Sequence, residues 1–213
     1  MAGRAGPRAD VQKKSDVAAE RNRPDVKQAR DGWADALAAF DATRLIFLDE
    51  TWFSTAMART HGYAPRGQRL TAEVPHGHWK TTTFVGGLTA GGFVAPMVLD
   101  GPMTSAAFVA YVGQVLAKEA RPGDVVVMDN LSSHKTAAAR AALEAAGVRY
   151  AYLPPYSPDL NPIENAFSKL KRLARRAAER TIDGLWKGLG KWLDAFPPGE
   201  CRNYFRKCGY DAT

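Results

Sequence analysis

Apolar and polar positions along the chain define a run of short, distinct elements. Leu45-Ile46-Phe47-Leu48 and Val125-Val126-Val127-Met128 are continuous apolar runs, too short for helices and suited to strands buried on both faces. Thr81–Leu88 and Phe93–Leu99 flank Ala90-Gly91-Gly92, the turn chemistry of a hairpin. Val148–Leu153 supplies a further strand. Helical spacing appears at Phe108, Val112, Val115 and Leu116, within a segment stopped by Arg121-Pro122-Gly123. An alanine-rich stretch from Lys135 to Ala146 closes on Gly147, as helices often do. Two more helices are expected, from near Pro162 to about Arg180 and over Thr181–Phe196, where Trp186, Leu189, Leu193 and Phe196 recur at core spacing. Upstream, residues 1 to about 30 are polar and broken by Pro24. A short amphipathic helix follows from Asp31, with Trp33, Leu37 and Phe40 on one face. Thr51–Pro75 has the glycines and prolines of a loop.

Strand, hairpin, helix, strand, helix, strand, helices is the order of a three-layer α/β domain around one mixed sheet. The pattern divides the chain into an extension with a short helix (1–40), a central α/β domain (41–180) and a helical segment packed on it (181–213). No apolar stretch approaches the ~18 residues that a membrane-spanning helix needs. The N-terminus has no apolar signal region, so the expected location is the cytoplasm. Two cysteines, Cys201 and Cys208, form neither a zinc-knuckle spacing nor a disulfide framework and are expected to be unlinked thiols. The net charge of +7 favours a polyanionic partner, but only if the charge lies beside a site.

Carboxylates supply the candidate site. Both buried-strand runs lead into an aspartate, Asp49 and Asp129. In open α/β sheets, functional groups gather at the carboxyl ends of strands. If the two strands are neighbours, the carboxylates stand ~5 Å apart. Like charges so close repel, and a hard divalent cation such as Mg²⁺ or Mn²⁺ relieves the repulsion. The alternative is that each Asp simply ends a strand by bonding its own backbone. Met97-Val98-Leu99-Asp100 has the same form but runs into Gly101-Pro102, a turn pair, so Asp100 is taken as structural. Glu164 follows Asn161 and Pro162, where it suits either a ligand or the third position of a capping box with Asn161. On a helical wheel Ile163, Ala166, Phe167, Leu170, Leu173, Ala174 and Ala177 share one face. Glu164 lies opposite, with Ser168, Lys171, Arg172 and Arg175. It has no helical ion-pair partner at the next turn, so a lone acid heads a basic stripe. His76-Gly77-His78 lacks a third ligand, and Trp52 has an open role, stacking on a base or packing locally.

At these residues the chain resembles the mariner superfamily of DDE transposases, most closely its bacterial insertion-sequence branch. The resemblance rests on Phe47–Thr51, on Val127–Lys135, and on the long block Leu153–Glu164. It extends to Tyr63-Ala64-Pro65-Arg66-Gly67 and Asn203-Tyr204-Phe205, and 34 residues separate Asp129 from Glu164. It implies a ribonuclease-H-like fold with five strands in the order 3-2-1-4-5. Asp49 then lies beside Asp129, Asp100 two sheet spacings from the first strand, and Glu164 on the helix after the fifth strand. The implied catalytic and metal-binding set is Asp49, Asp129 and Glu164, holding two Mg²⁺ (or Mn²⁺) ions for phosphoryl transfer. Asn130, His134, Lys135, Arg66, Lys171, Arg172 and Arg175 are implied to line the site or touch DNA. The implied activity is cutting transposon ends and joining their 3′-hydroxyls to target DNA. The implied partners are duplex DNA and a second copy of the chain, acting in the nucleoid. Family members carry helix-turn-helix modules before the catalytic domain. Too few residues precede Asp49 to hold them, so a separately encoded DNA-binding half is expected. The competing readings are a ribonuclease-H-like nuclease without strand transfer, and a truncated DNA-binding remnant without activity.

Overall fold

The computed structural model describes residues 18–37, 41–74 and 77–211. Five strands, β1 (Leu45–Ser54), β2 (Thr81–Thr89), β3 (Gly92–Asp100), β4 (Val125–Met128) and β5 (Arg149–Tyr152), form one sheet in the order β3-β2-β1-β4-β5. β1 runs antiparallel to β2 and parallel to β4, so the sheet is mixed, the arrangement of the ribonuclease-H-like fold. Leu48 pairs with Met128, the last residue of β4, and this brings the next positions, Asp49 and Asp129, to one level.

Strand alternation sorts the apolar side chains onto two faces. Phe47, Phe53, Phe84, Val125 and Val127 pack beneath α5 (Pro162–Ala177), α6 (Ile182–Trp192) and α7 (Pro198–Lys207). Ile46, Leu48, Val85, Val126 and Met128 pack against α2 (Ser105–Tyr111) and α4 (Ala137–Ala145). Between α2 and α3 (Ala117–Glu119) the helix passes through a π-helical turn, Val112–Leu116. Phe47 meets Phe205 of α7 edge to face at 5.2 Å, which ties the last helix to the central strand. Full burial of such a ring contributes roughly 1.5–3 kcal/mol. Among the described residues no helix is long and apolar enough to cross a membrane.

Four expectations are corrected. β1 does not stop near Asp49 but runs to Ser54, because β2 pairs with it along that whole length. The first helix, α1 (Pro24–Leu37), begins at Pro24 rather than Asp31, burying Val26 and Trp33. The side chain of Leu37, and Phe40, lie outside what the structure describes. The helix expected from Lys135 is a 3₁₀ turn, Ser132–Lys135, followed by α4, whose first turn is capped by Thr136. Finally, the helix over Thr181–Phe196 is not the last: the helical segment expected over 181–213 holds a further helix, α7, which buries Cys201 and Phe205. Both cysteines are free and buried.

Candidate active site

Asp49 and Asp129 meet because β1 outlasts β4. Asp49 stays inside a paired strand, facing the α5 side with Phe47, and is only 9% exposed. Asp129 lies just beyond the end of β4. Glu164 enters from the first turn of α5. All three line one cavity of about 270 Å³, with Asn130, Asn161 and the Leu153–Pro158 loop.

The electrostatics follow from this crowding. Burial, then the charges of Asp129 and Glu164, push the Asp49 carboxyl up to about 8. Asp129 moves the other way. Its burial is outweighed by hydrogen bonds from His134 and from the Leu131 N–H, so it stays below the usual carboxylate range. Two neighbouring acids whose environments drive their proton affinities apart form a coupled pair. His134 is fully buried, so it reaches no DNA surface; it underlies the site. Burial lowers its basicity, but the two carboxylates on either side, Asp129 and Glu50, raise it to about 9. Imidazole can donate from both nitrogens only as the imidazolium.

The donor set is all carboxylate oxygen, the chemistry that Mg²⁺ and Mn²⁺ prefer. The raised Asp49 marks a site short of positive charge, so the residues fit a divalent cation. Among the described residues no three of His, Cys, Asp and Glu stand close enough to hold an ion jointly; the acids share a cavity rather than a ready coordination shell.

Asn161 departs from its expected part. Its side chain makes no capping bond to α5; it donates to Asp49 Oδ2 at 2.8 Å. Only its backbone carbonyl serves the helix start, accepting from the Glu164 N–H at 3.2 Å. Asn130 lines the cavity, donates to the Leu153 carbonyl and accepts from Lys135 Nζ. Lys171 lies 5.5 Å above the ring of Trp52, which is 57% exposed. Burial lowers the Lys171 ammonium, while Glu164 and Asp49 pull it the other way; neither Lys171 nor Trp52 lines the acids' cavity. Arg172 and Arg175 line a larger groove of about 950 Å³ with Arg59, His61, Lys169 and Arg176. Arg59 and His61 escaped sequence reasoning because nothing in a loop's sequence shows that it folds back beside α5. Arg66 is exposed in the loop between β1 and β2 and does not line the acids' cavity. Of the two loop histidines, His76 lies outside the described residues, while His78 borders a third cavity with Lys80 and Arg180.

Residues 44–185 match the family described as DDE superfamily endonuclease. No curated protein sequence matches the chain. Among solved structures, the Mos1 transposase paired-end complex with left transposon end superposes with a TM-score of 0.74 at 22% identity. The match covers 95% of this chain, which spans only 64% of that one. The Mos1 mariner paired end complex with Mn gives 0.74 at 19% identity, covering 97% of this chain and 68% of that one. The catalytic domain of Mos1 mariner transposase gives 0.64 at 18% identity, covering 91% of each chain.

Proposed function

Given that the chain belongs to the DDE superfamily endonucleases, we infer that it is the catalytic domain of a DNA transposase that cuts transposon ends and joins their 3′-hydroxyls to target DNA. The observation that carries this reading is the convergence of Asp49, Asp129 and Glu164 on one cavity, with Asp49 pushed up to about 8 by burial and by the other two. The three acids are the catalytic set and would hold two divalent cations, Mg²⁺ or Mn²⁺. When bound, such ions activate the attacking oxygen and stabilise the leaving one. The Mos1 structures support this choice, since they include paired-end complexes with Mn and with Mg and a strand transfer complex.

The chain's own residues do the rest. Asn161 holds Asp49 from the α5 side. Lys171, Arg172 and Arg175 form a cationic flank on which a phosphate backbone can lie. Asn130 and Lys135 fix the rim of the cavity. Exposed Trp52, beneath the Lys171 ammonium, offers a stacking face next to the cationic flank. On this reading residues 41–180 are the catalytic domain, 181–213 a helical segment docked on it, and 1–40 an extension. The chain belongs with the insertion-sequence branch of the mariner group, acts in the nucleoid and pairs with a second copy.

The test is cleavage and joining of DNA carrying the element's ends, with and without Mg²⁺ or Mn²⁺. Activity should require the ion and vanish in Asp129→Asn while nonspecific DNA binding persists. Undiminished cleavage by that variant refutes the assignment. Cleavage without joining would favour a ribonuclease-H-like nuclease.

A further inference from the structure

Asp49 has a neighbour whose role the cavity does not explain. Glu50 is the next residue of β1, so strand alternation turns it to the opposite face of the sheet, toward α2 and α4. There it meets His134 of the 3₁₀ turn that follows β4, with Oε2 3.2 Å from Nε2. The other ring nitrogen, Nδ1, stands 3.0 Å from Asp129 Oδ1. One imidazole thus bridges an acid on β1 and the acid that follows β4.

The bridge is held rigidly. His134 is fully buried, its ring lies 4.5 Å from that of Phe108, and its carbonyl accepts from Tyr152 Oη at 2.8 Å. Glu50 Oε2 and His134 Nε2 have no well-directed hydrogen bond among the described residues, so their ion pair is the contact that each makes. At the far end, Asp129 Oδ1 takes two donors, His134 Nδ1 and the Leu131 N–H, each at 3.0 Å. Among the described residues no hydrogen bond reaches Oδ2.

A buried ionic bridge adds little net stability, and an apolar side chain could fill the same space beneath the sheet. Its specific effect is orientation. An aspartate past the end of a strand can populate several side-chain rotamers. Two donors on one oxygen select one of them and leave the other oxygen for a ligand. We propose that Glu50 and His134 are positioning residues, which lock the Asp129 carboxylate through Oδ1 and present Oδ2 to the divalent cation. The proposal rests on the assignment of Asp129 as a metal ligand. Partners of this kind, one bond behind a ligand, change metal affinity about 10–100-fold when removed.

The experiment is calorimetric titration of the full chain with Mn²⁺, comparing wild type with Glu50→Gln, His134→Asn and Asp49→Asn. Glu50→Gln and His134→Asn should each weaken Mn²⁺ binding about tenfold or more. A side chain that only filled space would shift the melting temperature and leave Mn²⁺ affinity unchanged. Glu50→Gln is isosteric and decides the matter alone should His134→Asn fail to fold. Wild-type affinity in Glu50→Gln, with loss of binding in Asp49→Asn, overturns the positioning role and leaves the three-acid site standing. Wild-type affinity in Asp49→Asn overturns the three-acid site, and the positioning role with it.

Discussion

Asn161 Nδ2 donates to Asp49 Oδ2 across 2.8 Å, joining the residue that opens α5 to the acid in the middle of β1. Both side chains are buried, at 4% and 9% exposure, so water does not replace the bond if it is lost. Asn161→Ala should cost roughly 1–3 kcal/mol, the penalty for a buried polar group left without its partner. The helix start itself should survive, because the Asn161 carbonyl, which alanine keeps, accepts from Glu164. Urea unfolding in chelator measures the first effect. A neutral result would mean that Asp49 finds another donor.

The raised Asp49 also sets a pH dependence. In the unfolded chain an aspartate titrates near ~3.9. In the fold, burial and then the charges of Asp129 and Glu164 move Asp49 to about 8. Between these values the folded chain binds a proton that the unfolded chain does not, so stability falls as pH rises. The contribution is complete below about pH 4 and gone above about pH 8. His134, at about 9 because Asp129 and Glu50 outweigh its burial, adds a fall of the same sign; its window opens near ~6.5. Asp129 is lowered, so its contribution is lost only as pH drops through the acidic range. In chelator, the melting temperature should therefore decline from about pH 5 to about pH 8, and Asp49→Asn should flatten the decline. Mn²⁺ should raise the melting temperature more at pH 8 than at pH 6, because it replaces the proton that Asp49 is then losing. Scanning calorimetry gives both curves, and a profile unchanged by Asp49→Asn contradicts the shift.

The cationic flank makes a prediction about salt. Each phosphate neutralised on duplex DNA contributes about −0.9 to the slope of log affinity against log salt. Arg172→Gln and Arg175→Gln should each reduce the slope by about 1, without changing sequence preference. Lys171→Met should do the same and also change Trp52 fluorescence, because the ammonium lies 5.5 Å over that ring. Anisotropy titrations with an arbitrary duplex at several salt concentrations supply the slopes. Slopes equal to wild type would place the DNA elsewhere.

The sheet, its order and the convergence of the acids were legible because buried strands write continuous apolar runs and the three blocks resemble a known family. What escaped notice had weaker signals. Thr51 and Phe53 are buried in β1, but they sit among Asp49, Glu50 and exposed Trp52, and so hide the strand's second half. Cys201, Phe205 and Cys208 do repeat at helical spacing, yet Pro197-Pro198-Gly199 before them reads as a break rather than as the start of α7. Asn161 matched a helix cap by position, but its amide found Asp49, a long-range partner that no local rule contains. Glu50 stood beside a candidate ligand and drew no separate attention, since only the pairing of the strands shows that it faces His134.

The loop that delivers Glu164 is strapped from outside by α1 and by the 3₁₀ turn that precedes it, Ala19–Asn22. Arg30 reaches Ser157 Oγ at 2.6 Å and both oxygens of Asp159 at 2.8 and 3.1 Å, and Arg21 adds a contact to Asp159 at 2.9 Å. The Asp159 side chain is 41% exposed, so solvent screens its ion pairs, whereas that of Arg30 is 17% exposed. Asp159→Asn should therefore cost about 1 kcal/mol or less. Arg30→Ala should cost more, about 2 kcal/mol, since it also removes the bond to Ser157. High salt should shrink the Asp159 effect and spare most of the Arg30–Ser157 part. Because the two residues share bonds, the double variant should lose less than the two single losses combined. Chemical unfolding of the four proteins closes this cycle. Strict additivity would show that the contacts of Arg30 with Asp159 contribute nothing, leaving Ser157 as the hold of α1 on the loop.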